Sequence, residues 1–155
     1  AVCGSSAALS VMHMQGEPGT MQLAPSYRDV VAEVRSFLDE RVRVLLDNGV
    51  SRQRIVVDPG FGFGKTLDHN LALLRHLEVF GESGFPVFVG VSRKTMLGAI
   101  TGREVSERVF AGAAAALLAV QRGARIVRTH DVAATRDVLR VWMAVEADRL
   151  PGLAA

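Results

Sequence analysis

Residues 54–65 read Arg-Ile-Val-Val-Asp-Pro-Gly-Phe-Gly-Phe-Gly-Lys, a run of branched apolar side chains that ends in an acidic residue and a glycine-rich turn. A continuous apolar run of this length suits a parallel strand covered on both faces better than a half-exposed antiparallel one. Three similar runs occur elsewhere in the chain. We therefore predict four parallel strands, at 9–14, 54–58, 87–91 and 125–129.

Helical patterns separate these predicted strands, and most of them have a capping residue or a periodic apolar face. The expected helices are 26–48, a segment around Leu71, Leu74 and Leu77, 93–100, 107–123 and 133–148. Ser26 and Asp29 are spaced like a capping box for the first helix. Ser92 and Ser106 are the expected N-caps of the third and fourth helices, and Trp142 is expected in the core.

The alternation of strands and helices is typical of right-handed βαβ units on a parallel sheet. Four such units in 155 residues correspond to half of a (β/α)8 TIM barrel, and a doubly wound open sheet is the competing architecture. We expect residues 1–155 to form one domain that lacks the N-terminal half of the barrel. Unpaired edges of such a half-barrel would favour self-association.

Composition and charge exclude several classes of protein. Eighteen basic against sixteen acidic residues give a net charge of +2, too small a surplus for a general nucleic-acid surface. No apolar run is long enough to cross a membrane, and the single Cys3 cannot form an internal disulfide, which suits a cytoplasmic setting. Only two of the basic residues are lysines, Lys65 and Lys94, and both follow turns, where a compact ammonium can reach a ligand.

The residues that leave each predicted strand are the candidates for a functional site, because ligands of parallel α/β folds bind at the carboxyl ends of the strands. All four exits are polar or rich in glycine. They are Met-His-Met-Gln-Gly at 12–16, Asp-Pro-Gly-Phe-Gly-Phe-Gly-Lys at 58–65, Gly-Val-Ser-Arg-Lys at 90–94 and Arg-Thr-His-Asp at 128–131. Together these segments can surround one ligand.

The second exit has two interpretations at each prominent position. Asp58 could accept hydrogen bonds from a ring or amide ligand, or could cap its own turn through the following backbone. Phe61 and Phe63 could present an aromatic face to a flat ligand, or could pack into the core. A phosphate-binding P-loop is excluded, because its spacing requires glycine where Pro59 stands.

The third and fourth exits are predicted to bind an anion. Backbone N–H groups and the two cations Arg93 and Lys94 are expected to converge where a strand turns into a helix. If the fourth strand persists, Arg128 and His130 point to the same side and could hold a phosphate together.

The four exits, in this order and at these separations, strongly resemble the C-terminal half of the dihydropteroate synthase family of pterin-binding enzymes, over about residues 11–142. The resemblance implies a TIM-barrel transferase of folate biosynthesis. Such enzymes join 4-aminobenzoate to a dihydropterin methyl diphosphate and release diphosphate with the help of Mg²⁺, usually as homodimers. It also implies that the metal ligand belongs to the family's N-terminal half and that the chain by itself is inactive.

Carried over position by position, the resemblance implies roles for individual residues. Asp58 would bind the pterin ring, in a pocket lined by Met12, Phe63 and Gly90. The implied substrate-binding residues further include Lys65, Ser92 and Arg93, the last two beside the aminobenzoate. The implied catalytic residues are Lys94, between pterin and aminobenzoate, and Arg128 with His130, on the diphosphate.

Two other functions remain compatible with the residues. A metal-dependent barrel hydrolase would use His13, Asp58 and His130, although the sequence lacks the paired-histidine spacing of such sites. A catalytically silent fragment would associate only through its exposed strand edges.

Overall fold

A computed structural model describes residues 4–147 as four strands and five helices, which alternate except that two helices follow the third strand, with three short 3₁₀ turns. The strands are β1 (Leu9–Met12), β2 (Ile55–Asp58), β3 (Val87–Val89) and β4 (Ala124–Val127). The helices are α1 (Val30–Asp47), α2 (Leu67–Arg75), α3 (Thr95–Thr101), α4 (Val109–Gln121) and α5 (Val132–Glu146). None of the helices within these residues is long and apolar enough to cross a membrane.

The four strands form one parallel sheet in the order β1-β2-β3-β4. Because parallel crossovers are right-handed, a sequential order places all connecting helices on the same face of the sheet. The order does not reverse as it does in a doubly wound sheet. The prediction of a partial (β/α)8 barrel is therefore confirmed, and the open-sheet alternative is wrong.

The helix-facing side of the sheet carries the core. The paired positions Val11, Val57, Val87 and Ala124 form a row across all four strands, and the last three are buried. Apolar side chains of α1, including Val34 and Leu38, pack against this side and are almost fully buried. Small residues of α4, such as the buried Ala116, allow that helix to pack closely in the core.

The opposite side of the sheet is less covered. It carries the paired residues Ser10 and Val56 and the paired residues Phe88 and Ile126, of which Ser10 and Ile126 are exposed and the other two are half-buried. In a closed barrel such a face lies in the interior, packed against the side chains of the remaining strands. Among residues 4–147, β1 and β4 each pair with one neighbour, so the sheet ends in two edges.

Several predicted caps are wrong, because the helices begin after the residues predicted to cap them. Helix α1 begins at Val30, with Asp29 as its N-cap, and the backbone N–H and carbonyl of Ser26 exchange hydrogen bonds with the Gln15 side chain. Ser92 does not cap α3, which begins after Lys94. Helix α4 likewise begins later than predicted, after a 3₁₀ turn at Val105–Glu107 that contains the predicted cap.

The prediction that Trp142 packs in the core is also wrong. Trp142 is half-buried, and Val141 and Val145 on the same helix are mostly exposed. Trp142 lines a cavity of about 620 Å³ between β4 and α5. None of the predicted site residues lines this cavity.

Candidate functional site

Four of the predicted site residues lie along one face of the sheet at its carboxyl end, and we call these four residues the row. Met12 and Asp58 are paired in the register of β1 and β2. Gly90 and Arg128 stand two residues beyond Phe88 and Ile126, which are paired in β3 and β4, and so continue the same face. A Cβ atom at Gly90 would lie 3.0 Å from the Arg128 guanidinium, so the missing side chain leaves room for Arg128.

Asp58 is a buried carboxylate with only 4% of its surface exposed. Its Oδ1 atom accepts a hydrogen bond of 2.8 Å from the backbone N–H of Gly60, so the turn-capping interpretation is confirmed. Burial raises the pKa of Asp58, and the hydrogen bond from Gly60 and the positive charges of Arg128, Lys94 and Lys65 oppose this rise. Within residues 4–147 no hydrogen bond to Oδ2 is found, which leaves that oxygen for a ligand.

Phe63 and Lys94 stand together in a cleft of about 480 Å³ beside this row. The Lys94 Nζ atom lies 4.4 Å from the centre of the Phe63 ring, a cation–π contact. Burial, and next the charge of Arg128, lower the pKa of Lys94, whereas Asp58 opposes this. The two phenylalanines of the loop therefore have different roles, because Phe61 is 1% exposed and belongs to the core.

The glycine loop, residues 60–64, packs directly on the chain that leaves β1. Gly60, Gly62 and Gly64 all have positive φ, which disfavours other residues. A Cβ atom at Gly60 would overlap the carbonyl oxygen of His13, and one at Gly64 would overlap that of Gln15. Glycine is thus needed here for both backbone conformation and close approach.

We predict that Gly60→Ala lowers the free energy of unfolding by more than about 3 kcal/mol, because it adds a backbone clash to an unfavourable φ of 72°. Gly49→Ala is the matched control. Gly49 has a similar φ of 81° but no atom within 4 Å of an added Cβ, so we expect a loss of about 1 kcal/mol. Urea unfolding measures both, and equal losses would contradict the role assigned to the close approach.

Lys65 points into the protein. It is 4% exposed, and its Nζ atom contacts His13 Nδ1 at 2.9 Å and donates to the carbonyl oxygens of Gly60 and Phe63, each at 3.0 Å. Burial lowers the pKa of Lys65 to about 8, and Asp58 opposes this shift. The His13 ring packs edge-on against Phe37 at 4.9 Å, and burial, followed by the charge of Lys65, lowers its pKa to about 4.

The buried imidazole makes stability depend on pH. Between pH 6.5 and 4 the unfolded chain binds a proton at His13 that the folded chain does not, so the free energy of unfolding falls as the pH is lowered through this window. We expect His13 to account for a loss of about 2 kcal/mol between pH 7 and pH 5. Urea unfolding of the parent and of His13→Asn at both pH values isolates this contribution, and identical pH dependence would contradict it.

The third and fourth exits meet through two side-chain pairs. Ser92 Oγ accepts a hydrogen bond of 3.2 Å from the His130 backbone N–H and lies 3.1 Å from His130 Nδ1. The Arg93 guanidinium donates to both carboxylate oxygens of Asp131, at 2.7 and 3.2 Å, and this hydrogen bonding lowers the pKa of Asp131. Arg93 is thus paired with Asp131, although Arg93 and Lys94 both line the cleft, and their joint binding of an anion stays a prediction.

Strand β4 ends at Val127, before the two residues expected to share one side. The Arg128 backbone N–H still donates to Val89 at 2.8 Å, which keeps Arg128 beside β3. His130 turns towards Ser92 instead. Arg128 therefore lies near Asp58 and Lys94, whereas His130 lies beside Ser92.

Two positioning residues were missed by sequence reasoning. Asn70, buried in α2, accepts from the Gly62 N–H at 2.7 Å. Arg108 donates to the carbonyl oxygens of Arg93 and Lys94, at 3.3 and 3.4 Å, in space that Gly98 leaves open. Arg93 has a φ of 57°, an unfavourable backbone that these bonds support. The sequence signal for Arg108 was Gly98, because a glycine inside a short helix indicates that another group packs closely against it.

The residues of the alternative hydrolase are not assembled as a metal site. His13 Nδ1 contacts Lys65, Asp58 Oδ1 caps its turn, and His130 Nδ1 lies against Ser92. Across residues 4–147 no three His, Cys, Asp or Glu side chains are grouped as metal ligands.

The parallel sheet with a ligand-sized cleft at its carboxyl edge defines a barrel-type α/β enzyme class. The profile of the family described as "Pterin binding enzyme" matches residues 1–130. The chain belongs to this family.

Individual relatives agree with this assignment. Dihydropteroate synthase of Neisseria meningitidis serogroup B is 53% identical over 141 residues, covering 88% of this chain and 50% of the relative. The crystal structure of dihydropteroate synthase from Stenotrophomonas maltophilia, with imidazole bound in its active site, superposes with a TM-score of 0.88 at 56% identity, over 90% of this chain and 53% of that one. The Burkholderia cenocepacia enzyme complexed with 7,8-dihydropteroate also gives a TM-score of 0.88, at 52% identity, over 96% and 56%. The chain spans about half the length of the curated relatives it matches.

Proposed function

We propose that this chain supplies half of the active site of a dihydropteroate synthase. This transferase of folate biosynthesis condenses 4-aminobenzoate with 6-hydroxymethyl-7,8-dihydropterin diphosphate and releases diphosphate. The observation that carries the proposal is the row of Met12, Asp58, Gly90 and Arg128 at the carboxyl edge of the sheet, with Lys94 beside it on Phe63. Identities of 49 to 56% to dihydropteroate synthases support it.

The pterin ring would bind at Asp58. Its Oδ2 atom is an acceptor for the ring's N–H groups, and a buried carboxylate gains most from donors that a ligand brings. The half-buried Phe63 ring offers a flat apolar surface in the cleft, and Met12 and Gly90, on the same face of the sheet as Asp58, would complete the pocket. Lys94 would lie between the pterin and the aminobenzoate, with Ser92 and Arg93 near the latter.

The diphosphate would bind at Arg128 and His130. During the reaction the C–O bond to diphosphate breaks and leaves its electron pair on the diphosphate. A C–N bond forms between the methylene carbon and the aminobenzoate nitrogen, which releases one proton. Preorganised donors stabilise charge that grows on a leaving group more effectively than water does. Arg128 offers a planar guanidinium for this purpose, and Ser92 orients His130.

The resemblance also implies Mg²⁺, but residues 4–147 do not fit such a site by themselves. The carboxylate in the row is that of Asp58, and the charges that act on it include those of Arg128, Lys94 and Lys65. Mg²⁺ prefers several oxygen ligands, and a cationic surrounding disfavours it. By the resemblance, the protein ligand of the metal belongs to the N-terminal half of the family's barrel.

The proposal extends to assembly and location. Homodimer formation is supported by exposed apolar side chains on α4 and α5, among them Leu118, Val141 and Val145. A cytoplasmic location is in keeping with the single cysteine in the sequence. Sedimentation at micromolar concentration tests the dimer, and a monomer of the natural protein would contradict it.

The function is tested by formation of dihydropteroate from the two substrates, with the protein as it occurs naturally and with Lys94→Met. Arg75→Ala is a control on the exposed end of α2. We expect Lys94→Met to lower turnover and Arg75→Ala to leave it unchanged. Failure of the parent to form product and to bind a pterin would contradict the proposal.

We further propose that the 155-residue chain by itself does not turn over. Half of a barrel leaves the substrates open to water, which weakens every electrostatic contribution to the reaction. Pteroate formation by the purified 155-residue chain would contradict this expectation.

A further inference from the structure

The surroundings of Lys65 differ from those of Lys94. The Lys94 ammonium lies on the Phe63 ring in the cleft, whereas Lys65 is 4% exposed and its ammonium is surrounded by protein acceptors. Lys65 forms part of the cleft wall, yet its Nζ atom faces His13, Gly60 and Phe63. Lys65 therefore differs from Lys94, because its ammonium contacts the protein and not the open cleft.

The hydrogen-bonding capacity of Lys65 is fully used inside the protein. A protonated lysine has three N–H donors and no acceptor. Three acceptors lie within 3.0 Å of Nζ, namely His13 Nδ1 and the carbonyl oxygens of Gly60 and Phe63. His13 can accept only when its Nδ1 atom carries no proton, so this contact assigns the neutral tautomer with hydrogen on Nε2. No donor remains for a ligand.

The two carbonyl acceptors lie near the two ends of the glycine loop. Gly60 begins the loop and Phe63 precedes its last glycine, so one ammonium holds both against the side chain of His13. Outer bonds add to this hold, since the Tyr27 hydroxyl donates to Gly64 O at 2.8 Å and the Gln22 amide donates to Gly62 O. A loop of three glycines has little conformational preference of its own and needs such external contacts.

We infer that Lys65 is a positioning residue that, with His13, fastens the glycine loop to the end of β1 and thereby holds the Phe63 ring beside Lys94. Its contribution to ligand binding is made through the loop and not through direct contact. The choice of a pterin as the ligand of the Phe63 surface rests on the proposed function. The fastening of the loop does not rest on it.

The test uses three variants of the protein as it occurs naturally. Lys65→Met removes the donors and keeps an unbranched apolar stem. His13→Leu removes the acceptor, whereas His13→Asn, its matched control, can place an amide oxygen near the position of Nδ1. The probes are 6-hydroxymethylpterin, which lacks the diphosphate, and inorganic diphosphate, each titrated calorimetrically well below the unfolding temperature.

We expect Lys65→Met and His13→Leu to weaken binding of the pterin probe about tenfold, since each removes a buried hydrogen bond that orders the loop. His13→Asn should bind within about twofold of the parent, and diphosphate binding should change in none of the three. A purely structural role would lower stability without this separation of the two probes. Unchanged pterin binding in His13→Leu, or equal losses for both probes in Lys65→Met, would overturn the inference.

Amide hydrogen exchange keeps the inference separate from the proposed function. If the parent does not bind the pterin probe, the proposed function fails, but the loop can still be examined. We expect the Gly62 and Phe63 amides to exchange at least about tenfold faster in Lys65→Met, with α4 unchanged. If Lys65→Met does not fold, the His13 pair gives the same comparison, because among the described contacts the His13 side chain reaches the loop through Lys65. Unchanged loop protection would overturn the inference.

Discussion

Replacing Arg128 with alanine is expected to lower turnover of the natural protein by roughly 10² to 10³, the usual cost of removing one preorganised donor at a site of developing charge. The guanidinium is held at the carboxyl edge of the sheet, beside Gly90 and over the Phe88 ring at 5.6 Å. Its backbone N–H is fixed to Val89. Steady-state kinetics with both substrates measures the effect.

The control for Arg128 lies three residues earlier, in β4. Arg125 is exposed and lines the cavity between β4 and α5, away from the row of Asp58 and Gly90. Arg125→Ala should leave turnover unchanged. Arg128→Lys should recover only part of the activity, because an ammonium cannot replace a planar bidentate donor. A loss of less than threefold in Arg128→Ala would contradict the diphosphate role.

Replacing Asp58 with asparagine is expected to weaken pterin binding about 10- to 100-fold, while affinity for diphosphate stays close to that of the parent. The substitution preserves shape, and an amide oxygen can still accept from the Gly60 N–H. The atom at the Oδ2 position becomes a donor, which opposes the donors of a pterin ring. Calorimetric titration with 6-hydroxymethylpterin, and separately with diphosphate and Mg²⁺, measures the two affinities.

Asp68→Asn is the matched control for this substitution, because Asp68 is an exposed carboxylate in the first turn of α2. It should change neither affinity. If Asp58→Asn binds the bare pterin as tightly as the parent, the assignment of Asp58 to the ring is wrong. Equal losses for pterin and diphosphate would instead indicate a general disturbance of the site.

The caps show where local sequence signals compete with distant partners. Ser92 has the right position for an N-cap, yet its hydroxyl bonds to His130, which is 38 residues away in sequence. At Ser26 it is the backbone that bonds to the Gln15 side chain, and Asp29 caps α1 in its place. A hydroxyl forms few hydrogen bonds, so the tertiary partner that occupies the Ser92 hydroxyl leaves α3 to begin elsewhere.

Phe61 and Phe63 show the same limit for apolar residues. Each phenylalanine stands between two glycines, and the sequence alone allowed each ring either to face a flat ligand or to pack into the core. The structure buries Phe61 in the core and leaves Phe63 half-buried in the cleft. Which ring faces inward depends on the path of the loop, and contacts with the end of β1 determine that path.

The sequence by itself determined the four parallel strands, the helices between them and the segments that form the site, because burial runs, helical periodicity and strand-end chemistry are local properties. Only the tertiary structure decided which residues of those segments are buried and which of them reach the site. Strand register aligned Met12 with Asp58, and burial turned Lys65 towards His13 while its counterpart Lys94 reached the cleft. These choices depend on desolvation and on hydrogen bonds between residues up to 52 positions apart, which no local pattern contains.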